Sequence, residues 1–120
     1  MKIALPVVEN RGANSLISEH FGHAPFFAFV KIDEGKIEIN IEKNPLEEHN
    51  PGEIPEYLKN QGVNLIIVRG IGQRAISFFN QFGIEVIRGA NGTVEKLIQQ
   101  YLEGKLRNIN YEVKEKFHKH

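Results

Sequence analysis

Alternating hydrophobic and polar positions predict strands in the first third of the chain. Residues 2–8 form a nearly continuous hydrophobic run, typical of a strand buried on both faces, and residues 26–32 form a second strand. Isoleucine then alternates with Glu and Asn over residues 37–42, which predicts a half-exposed antiparallel strand at or near a sheet edge. The segment 33–35, Asp-Glu-Gly, predicts a hairpin turn, because Gly tolerates the positive φ that such turns need.

The rest of the chain alternates helical and strand patterns. A short helix is predicted at residues 54–58, and longer amphipathic helices are predicted at 73–82 and 94–102. Hydrophobic runs at 65–68 and 84–87 lie between them and predict parallel strands. The order β-β-β-α-β-α-β-α predicts an α/β protein with a ribonuclease H-like three-layer fold, a mixed five-stranded sheet and about three helices.

A weak internal repeat supports this order. Residues 60–72 and 80–92 each contain a helix end, a Gly cap, a hydrophobic strand, Arg-Gly and a Gly-rich turn. Two such units produce right-handed parallel crossovers. The chain of 120 residues is therefore interpreted as one domain over residues 1–107, followed by a flexible polar tail over residues 108–120.

Composition excludes several classes of function. Net charge is zero, so no bulk field attracts nucleic acid or a membrane, and no hydrophobic run approaches the roughly 18 residues of a spanning helix. The absence of Cys excludes disulfides, thiolate zinc sites and Cys-ligated iron–sulfur clusters. Without a signal-peptide pattern, the expected location is the cytoplasm. The Glu- and Lys-rich charges lean towards a thermophilic source.

Few residues are suited to catalysis. Two-metal phosphodiester cleavage requires several inward carboxylates. The first and fourth predicted strands contain no carboxylate, and the single Asp of the chain, Asp33, lies in the hairpin turn. There is also no G-x-S-x-G motif and no Cys for nucleophilic catalysis. We therefore expect a protein that is not an enzyme.

Arginine and glycine recur where the parallel strands end. Ligands of open α/β sheets bind at this edge, where free backbone N–H groups and helix dipoles favour anions. Four of the five arginines map there, Arg11 among them. If Arg69, Arg74 and Arg88 share this edge, they repel one another unless an anion or a carboxylate such as Glu9 or Glu19 intervenes. The alternative to an anion site is that these are ordinary Gly-rich turns and that the arginines are solvated on the surface. The predicted ligand-binding residues are Arg69, Gly70, Ile71, Gly72, Arg74, Arg88 and Gly89.

The loop over residues 18–27, Ser-Glu-His-Phe-Gly-His-Ala-Pro-Phe-Phe, contains a candidate metal site. His20 and His23 are spaced so that both can reach one soft or borderline metal, with a Gly between them to bend the backbone. Glu19 is placed to orient an imidazole, and His49 lies in a second polar loop that can approach. The alternative is that one imidazole hydrogen-bonds to the backbone while the other is exposed.

Three segments together resemble a known family. Residues 18–27, residues 70–75 (Gly-Ile-Gly-Gln-Arg-Ala) and residues 83–86 (Gly-Ile-Glu-Val) resemble the dinitrogenase iron–molybdenum cofactor biosynthesis family, which includes NifX-like and NafY-like carriers and the C-terminal part of NifB. The resemblance implies a ribonuclease H-like fold without catalytic acids, and non-covalent binding or transport of iron–molybdenum or molybdenum–copper sulfide clusters. His20 matches the recurrent His before Phe-Gly in that family, while His23 occupies a more variable position.

The main functional hypothesis is a non-enzymatic binding or carrier protein for an anionic metal–sulfur cluster, either of iron–molybdenum-cofactor type or a molybdenum/copper sulfide. Its expected partners are that cluster or a small anion, together with a donor or acceptor protein. One alternative is a small nucleotide- or phosphate-binding regulatory module, which needs the Gly turns and arginines but no His. Another is a protein-interaction module that dimerises through the third strand.

Overall fold

The computed structural model of the chain describes residues 1–46 and 50–109. Strands and helices follow one another in the predicted order, and two short 3-10 turns lie in the loop between the first two strands. The elements are β1 (Lys2–Val7), the 3-10 turns Gly12–Asn14 and Phe21–His23, β2 (Phe26–Asp33), β3 (Lys36–Lys43), α1 (Glu53–Asn60), β4 (Leu65–Ile67), α2 (Gln73–Gln81), β5 (Glu85–Ile87) and α3 (Val94–Leu102).

The strands form one mixed sheet in the order β3-β2-β1-β4-β5. β2 pairs antiparallel with both β1 and β3, whereas β1–β4 and β4–β5 are parallel pairs. The antiparallel pairs come from the consecutive strands at the start of the chain, and the parallel pairs come from the helix-connected units that follow. The ribonuclease H-like fold class with a mixed five-stranded sheet and three helices is therefore confirmed.

The β2–β3 hairpin turns on two residues, Glu34 and Gly35. Both have positive φ, 49° and 81°, which gives the turn a twist that matches the flanking strands. Asp33 pairs with Lys36, so the hairpin turn is one residue shorter than the predicted segment 33–35. The resulting register pairs all eight residues of β3 with β2 without a bulge.

Two hydrophobic cores lie on opposite faces of the sheet. Ala4 of β1 belongs to the core beneath α1 and α2, together with Leu58 and Phe79. Leu5 belongs to the core beneath α3, together with Leu97. Successive residues of β1 are thus buried on opposite faces, as its continuous hydrophobic run predicts. Each fully buried Leu or Phe side chain stabilises the fold by about 1.5–3 kcal/mol relative to an exposed one.

Residues 108 and 109 lie against the end of β5. The backbone N–H of Ile109 donates to the carbonyl of Arg88 at 2.9 Å, and the side-chain oxygen of Asn108 accepts from the backbone N–H of Arg88 at 2.9 Å. The tail boundary at residue 107 remains a prediction, because residues 110–120 lie outside the described residues. None of the described helices is long and apolar enough to cross a membrane.

Candidate functional site

An open cavity of about 400 Å³ lies at the carboxyl end of β4. One wall is the 3-10 turn that contains the predicted metal ligands, and a second wall is the β4–α2 turn with the beginning of α2. The segment that enters α1 closes a third side. The lining residues come from the segments 20–23, 51–55 and 70–75, together with Phe78.

The His-containing loop is fastened directly to the β4–α2 turn. His20 and Gly70 form a parallel β-bridge, in which the amide of Gly70 donates to the carbonyl of Glu19 at 3.0 Å. The amide of Phe21 donates in turn to the carbonyl of Gly70 at 3.1 Å. The buried hydroxyl of Ser18 also donates to the carbonyl of His20 at 3.1 Å. These bonds bring two segments 50 residues apart in the sequence into one site.

The imidazoles of His20 and His23 lie side by side on the cavity wall. Their ring centroids are 5.9 Å apart and the rings are nearly perpendicular. With metal–nitrogen bonds of about 2.0–2.1 Å, two rings at this spacing are close enough to share one metal. Nε2 of His20 lies 4.0 Å from a carboxylate oxygen of Glu19, and 34% of the His20 side chain remains exposed. Both imidazoles are therefore accessible to a ligand in the cavity.

The beginning of α2 offers backbone donors to the cavity. Its N-cap is Gly72, which has no side chain to accept from the first helical amides. Within residues 1–46 and 50–109, the amides of Ile71–Ala75 donate to no protein acceptor. The helix dipole adds partial positive charge at this end, and the exposed Arg74 adds a full charge. This wall is suited to an anion.

Aromatic side chains support the cavity from below. The ring of Phe21 packs edge-on against that of Phe79, with centroids 5.4 Å apart. On the far wall Gly52 packs against Phe78, so closely that a Cβ at Gly52 would lie 3.0 Å from the ring. Gly52 also has a φ of 90°, which favours Gly. The shape of the cavity therefore depends on rigid packing beneath it.

Sequence comparison now places the chain among known proteins. The sequence model of the family described as "Dinitrogenase iron-molybdenum cofactor" matches residues 1–104. The chain belongs to this family. The resemblance inferred from the loop and turn motifs is thus confirmed, and the match includes every residue that lines the cavity.

Matches to individual relatives cover nearly the whole chain. The uncharacterized protein MJ0580 of Methanocaldococcus jannaschii is 41% identical over 115 residues, covering 91% of this chain and 92% of the relative. The crystal structure of PH0822 is similar with a TM-score of 0.81 and 34% identity, covering 91% and 96% of the two chains. The apo form of the orange protein of Desulfovibrio gigas has a TM-score of 0.78 at 22% identity, covering 90% and 92%, and so shares the fold.

The cavity brings together six of the predicted site residues. The two predicted metal ligands lie on one wall and four members of the predicted anion site lie on the other; the six are His20, His23, Gly70, Ile71, Gly72 and Arg74. The remaining three, Arg69, Arg88 and Gly89, are not among the lining residues. Their role as ligand contacts stays a prediction.

The local contacts of these three residues differ from those of the cavity wall. Nε of Arg88 donates to the side-chain oxygen of Asn108 at 3.3 Å. The amide of Gly89 donates to the carbonyl of Arg69 at 3.0 Å. Elsewhere on the predicted edge, Glu9 forms an ion pair with Arg11 at 3.2 Å. The expected pairing of Glu9 or Glu19 with Arg69, Arg74 and Arg88 stays a prediction. His49 lies outside the described residues.

Sequence reasoning missed Asn44, a buried side chain that fastens two loops beside the cavity. Its Nδ2 donates to the carbonyl of Ala24 at 2.9 Å, and its Oδ1 accepts from the amide of Leu46 at 2.8 Å. Its backbone amide donates to the carbonyl of Pro25. A lone Asn after an edge strand is an ordinary turn residue in sequence, so only its burial reveals this role.

Proposed function

We propose that this protein is a non-enzymatic binding or carrier protein for an anionic metal–sulfur cluster. One observation carries the proposal: a single cavity of about 400 Å³ has two imidazoles on one wall, and an arginine with helix-start amides that have no acceptor among the described residues on another. Imidazole is a ligand for soft and borderline metals, while amides and guanidinium favour the negative charge of sulfides. The two walls therefore complement the two parts of such a cluster.

The roles of the residues follow from their positions. His20 is the main metal ligand, because its loop position is fixed by the bridge to Gly70. His23 is an auxiliary ligand, since it is exposed at the cavity mouth. Arg74 and the amides of Ile71–Ala75 contact the anionic part of the cargo. Sulfides of the cargo complete the metal coordination, so the protein needs few ligands of its own.

The chemistry of the donor set favours a preformed cluster over a bare metal ion. Among the described residues, no group of three or more His, Cys, Asp or Glu is placed to hold a metal ion. Protein-bound zinc takes three or four protein ligands, and harder cations take several carboxylates. Two imidazoles are enough for a cluster that carries its own sulfide ligands. Family membership supports the link to iron–molybdenum cofactor metabolism, and the carrier role, the cytoplasmic location and the thermophilic source remain expectations.

The direct test is titration of the metal-free protein with tetrathiomolybdate, alone and with copper(I), followed by visible absorption. We expect a saturable spectral change at about one cluster per chain. His20→Ala should remove most of it, and Arg74→Gln should weaken binding roughly tenfold, the effect of losing about one charge-assisted contact. The matched controls are His118→Ala with His120→Ala for the tail histidines, and Arg88→Gln for an arginine outside the cavity lining.

Two outcomes would contradict the proposal. One is the absence of any saturable spectral change with the wild-type protein. The other is a change that persists in His20→Ala but disappears when the tail histidines are replaced, because that pattern would assign the signal to casual metal capture. Unchanged binding in Arg88→Gln, beside weakened binding in Arg74→Gln, would show that the cavity arginine is the one that matters.

A nucleotide- or phosphate-binding module is the second candidate. It is favoured by the same amides of residues 71–75, which have no acceptor in the part of the chain that the structure describes and which need no imidazole to bind an anion. A thermal-shift panel of nucleotides separates the two functions. A ligand present at about 100 times its Kd should stabilise the protein by about 2.7 kcal/mol. A nucleotide-dependent shift that survives His20→Ala would favour this second function over cluster binding.

A further inference from the structure

Strand β3 leaves one edge of the sheet open. It is the terminal strand, and among the residues that the structure describes only β2 pairs with it. All eight of its residues, Lys36–Lys43, are extended, and the strand contains no Pro, Gly or bulge. The 3-10 turn Gly12–Asn14 contacts β3 without forming a β-bridge to it. Long regular edges of this kind readily pair with another strand.

Hydrogen bonds on the other side of β2 show which backbone groups point outwards. The amide of Ile32 donates to the carbonyl of Met1, so the backbone of Ile32 faces β1. Along an antiparallel strand the backbone groups of successive residues point to alternate sides, so the N–H and C=O groups of Asp33 face β3. Asp33 pairs with Lys36, so the backbone of the even-numbered residues of β3 faces β2. The N–H and C=O groups of the odd-numbered residues 37, 39, 41 and 43 face the open edge.

The sequence of this edge is complementary to its own antiparallel copy. When Ile39 faces the partner's Ile39, Ile37 faces the partner's Ile41 and Lys36 faces the partner's Glu42. The two-fold axis passes between the two Ile39 residues and repeats the other two pairs. Every outward-facing backbone group between residues 37 and 41 then meets a partner of the opposite kind. We propose that this protein forms a symmetric homodimer by antiparallel pairing of β3 about Ile39, which produces one continuous ten-stranded sheet.

Charge selects this register over its neighbours. A shift to pairing about Asn40 would place Glu38 opposite the partner's Glu42 and Ile37 opposite the partner's Lys43. A shift in the other direction would place Glu38 opposite the partner's Glu38. Like charges directly opposite each other across strands are destabilising, and opposite charges are stabilising. Of these three registers, pairing about Ile39 is the one in which no like charges within residues 36–42 face each other.

Burial of hydrophobic surface also favours the dimer that is paired about Ile39. Ile39 and Ile41 are partly buried against the core beneath α3, and Ile37 on the same face is 47% exposed. In the proposed dimer the three isoleucines of one copy lie beside the three of the other. The row of isoleucines then continues across the interface. Each isoleucine loses exposed hydrophobic surface that is in contact with water in a single chain.

Sedimentation equilibrium over a concentration series tests the dimer with three interface variants and two controls. The wild-type chain should show a mass that rises with concentration towards twice its 13.7 kDa. Lys36→Glu and Glu42→Lys should each raise the dimer Kd by roughly tenfold, because each turns two attractive pairs into repulsive ones. The double variant restores the opposite charges and should return the Kd to within about threefold of wild type. As matched controls, Lys96→Glu and Glu95→Lys make the same changes on exposed positions of α3 and should leave it unchanged.

Three results would overturn the proposal. The first is a wild-type chain that stays monomeric up to about millimolar concentration, where weak interfaces still associate. The second is a dimer whose Kd neither charge variant changes, because the interface would then lie elsewhere. The third is tighter association of Glu42→Lys, which would indicate pairing about Asn40. Circular dichroism spectra that match wild type confirm that each exposed-charge variant is folded.

Discussion

The first turn, between β4 and α2, and the second turn, between β5 and α3, begin with the same Arg-Gly sequence. They differ in the hydrogen bonding of their backbone amides. At the first turn, the amides of Ile71–Ala75 meet a cavity and have no protein acceptor among the described residues. At the second turn, the amides of Gly89, Ala90 and Val94 each donate to a backbone carbonyl. A repeated motif has therefore produced one open turn and one turn that the chain itself fills.

The difference arises from what the rest of the chain places over each turn. The second turn is covered by the loop between β1 and β2, where Leu16 bridges to Thr93, and by Ile109 at Gly89. Thr93 also caps α3, since its hydroxyl accepts from the amide of Lys96 at 3.3 Å. The first turn has Gly72 at the equivalent helix start and no side-chain cap. Sequence motifs of this kind thus indicate where a site can be, and the covering segments decide whether it is open.

The largest expected effect comes from removing the core residue beneath each turn. Phe79→Ala in α2 and Leu97→Ala in α3 both empty fully buried positions. Unfolding in urea should show losses of about 3–5 kcal/mol for Phe79→Ala and about 2–5 kcal/mol for Leu97→Ala. At a temperature where both are folded, only Phe79→Ala should weaken cluster binding, because Phe79 supports Phe21 beneath the cavity. Equal weakening by both variants would contradict a site confined to the first turn.

A smaller effect is expected from filling the space that Ile109 occupies at the second turn. Gly89 has a φ of 81°, and a Cβ there would lie 2.7 Å from the carbonyl oxygen of Ile109. Gly89→Ala should cost about 1–2 kcal/mol in unfolding free energy from the left-handed backbone. It should also displace Ile109, which an amide chemical-shift change would report. Retention of the wild-type shift would show that the contact between residue 109 and the turn does not depend on Gly89.

The smallest effects come from exchanging the helix caps. Thr93→Ala should destabilise the protein by about 1 kcal/mol, because the amide of Lys96 loses its acceptor. Gly72→Thr should stabilise it by a few tenths of a kcal/mol at most, since a Cβ at Gly72 meets nothing within 4 Å. The same variant should weaken anion binding, because the new hydroxyl takes an amide that the ligand would use. Tighter anion binding in Gly72→Thr would argue against the helix-start amides as ligands.

Periodicity was enough to predict the architecture. Hydrophobic runs and alternation identified all five strands, because each strand has a burial pattern that its sequence carries directly. The alternating isoleucines of β3 predicted an edge strand, and β3 lies at the edge of the sheet. Where a predicted strand end differs from the observed one, it differs by a single residue, at Val8, Asp33, Lys36, Lys43, Val68 and Ile84.

The site was less predictable because it depends on contacts between distant segments. Arg69-Gly70 and Arg88-Gly89 are alike in sequence, and only the fold shows that Ile109 and the β1–β2 loop cover the second of them. Asn44 could not be found from its neighbours, because its partner Ala24 is 20 residues away. His20 and Arg74 could be predicted as candidates from motif and chemistry, and the cavity places both on its walls.

Nitrogen-15 NMR of the backbone amides during titration with copper and tetrathiomolybdate tests the central claim most directly. It observes both turns in one experiment. The account predicts saturable shifts for the amides of Ile71–Ala75 and for the His20 segment, with little change at Gly89, Ala90 and Val94, whose N–H groups already have acceptors. Shifts centred on the second turn, or equal shifts at both turns, would contradict the claim that the open first turn binds the cluster.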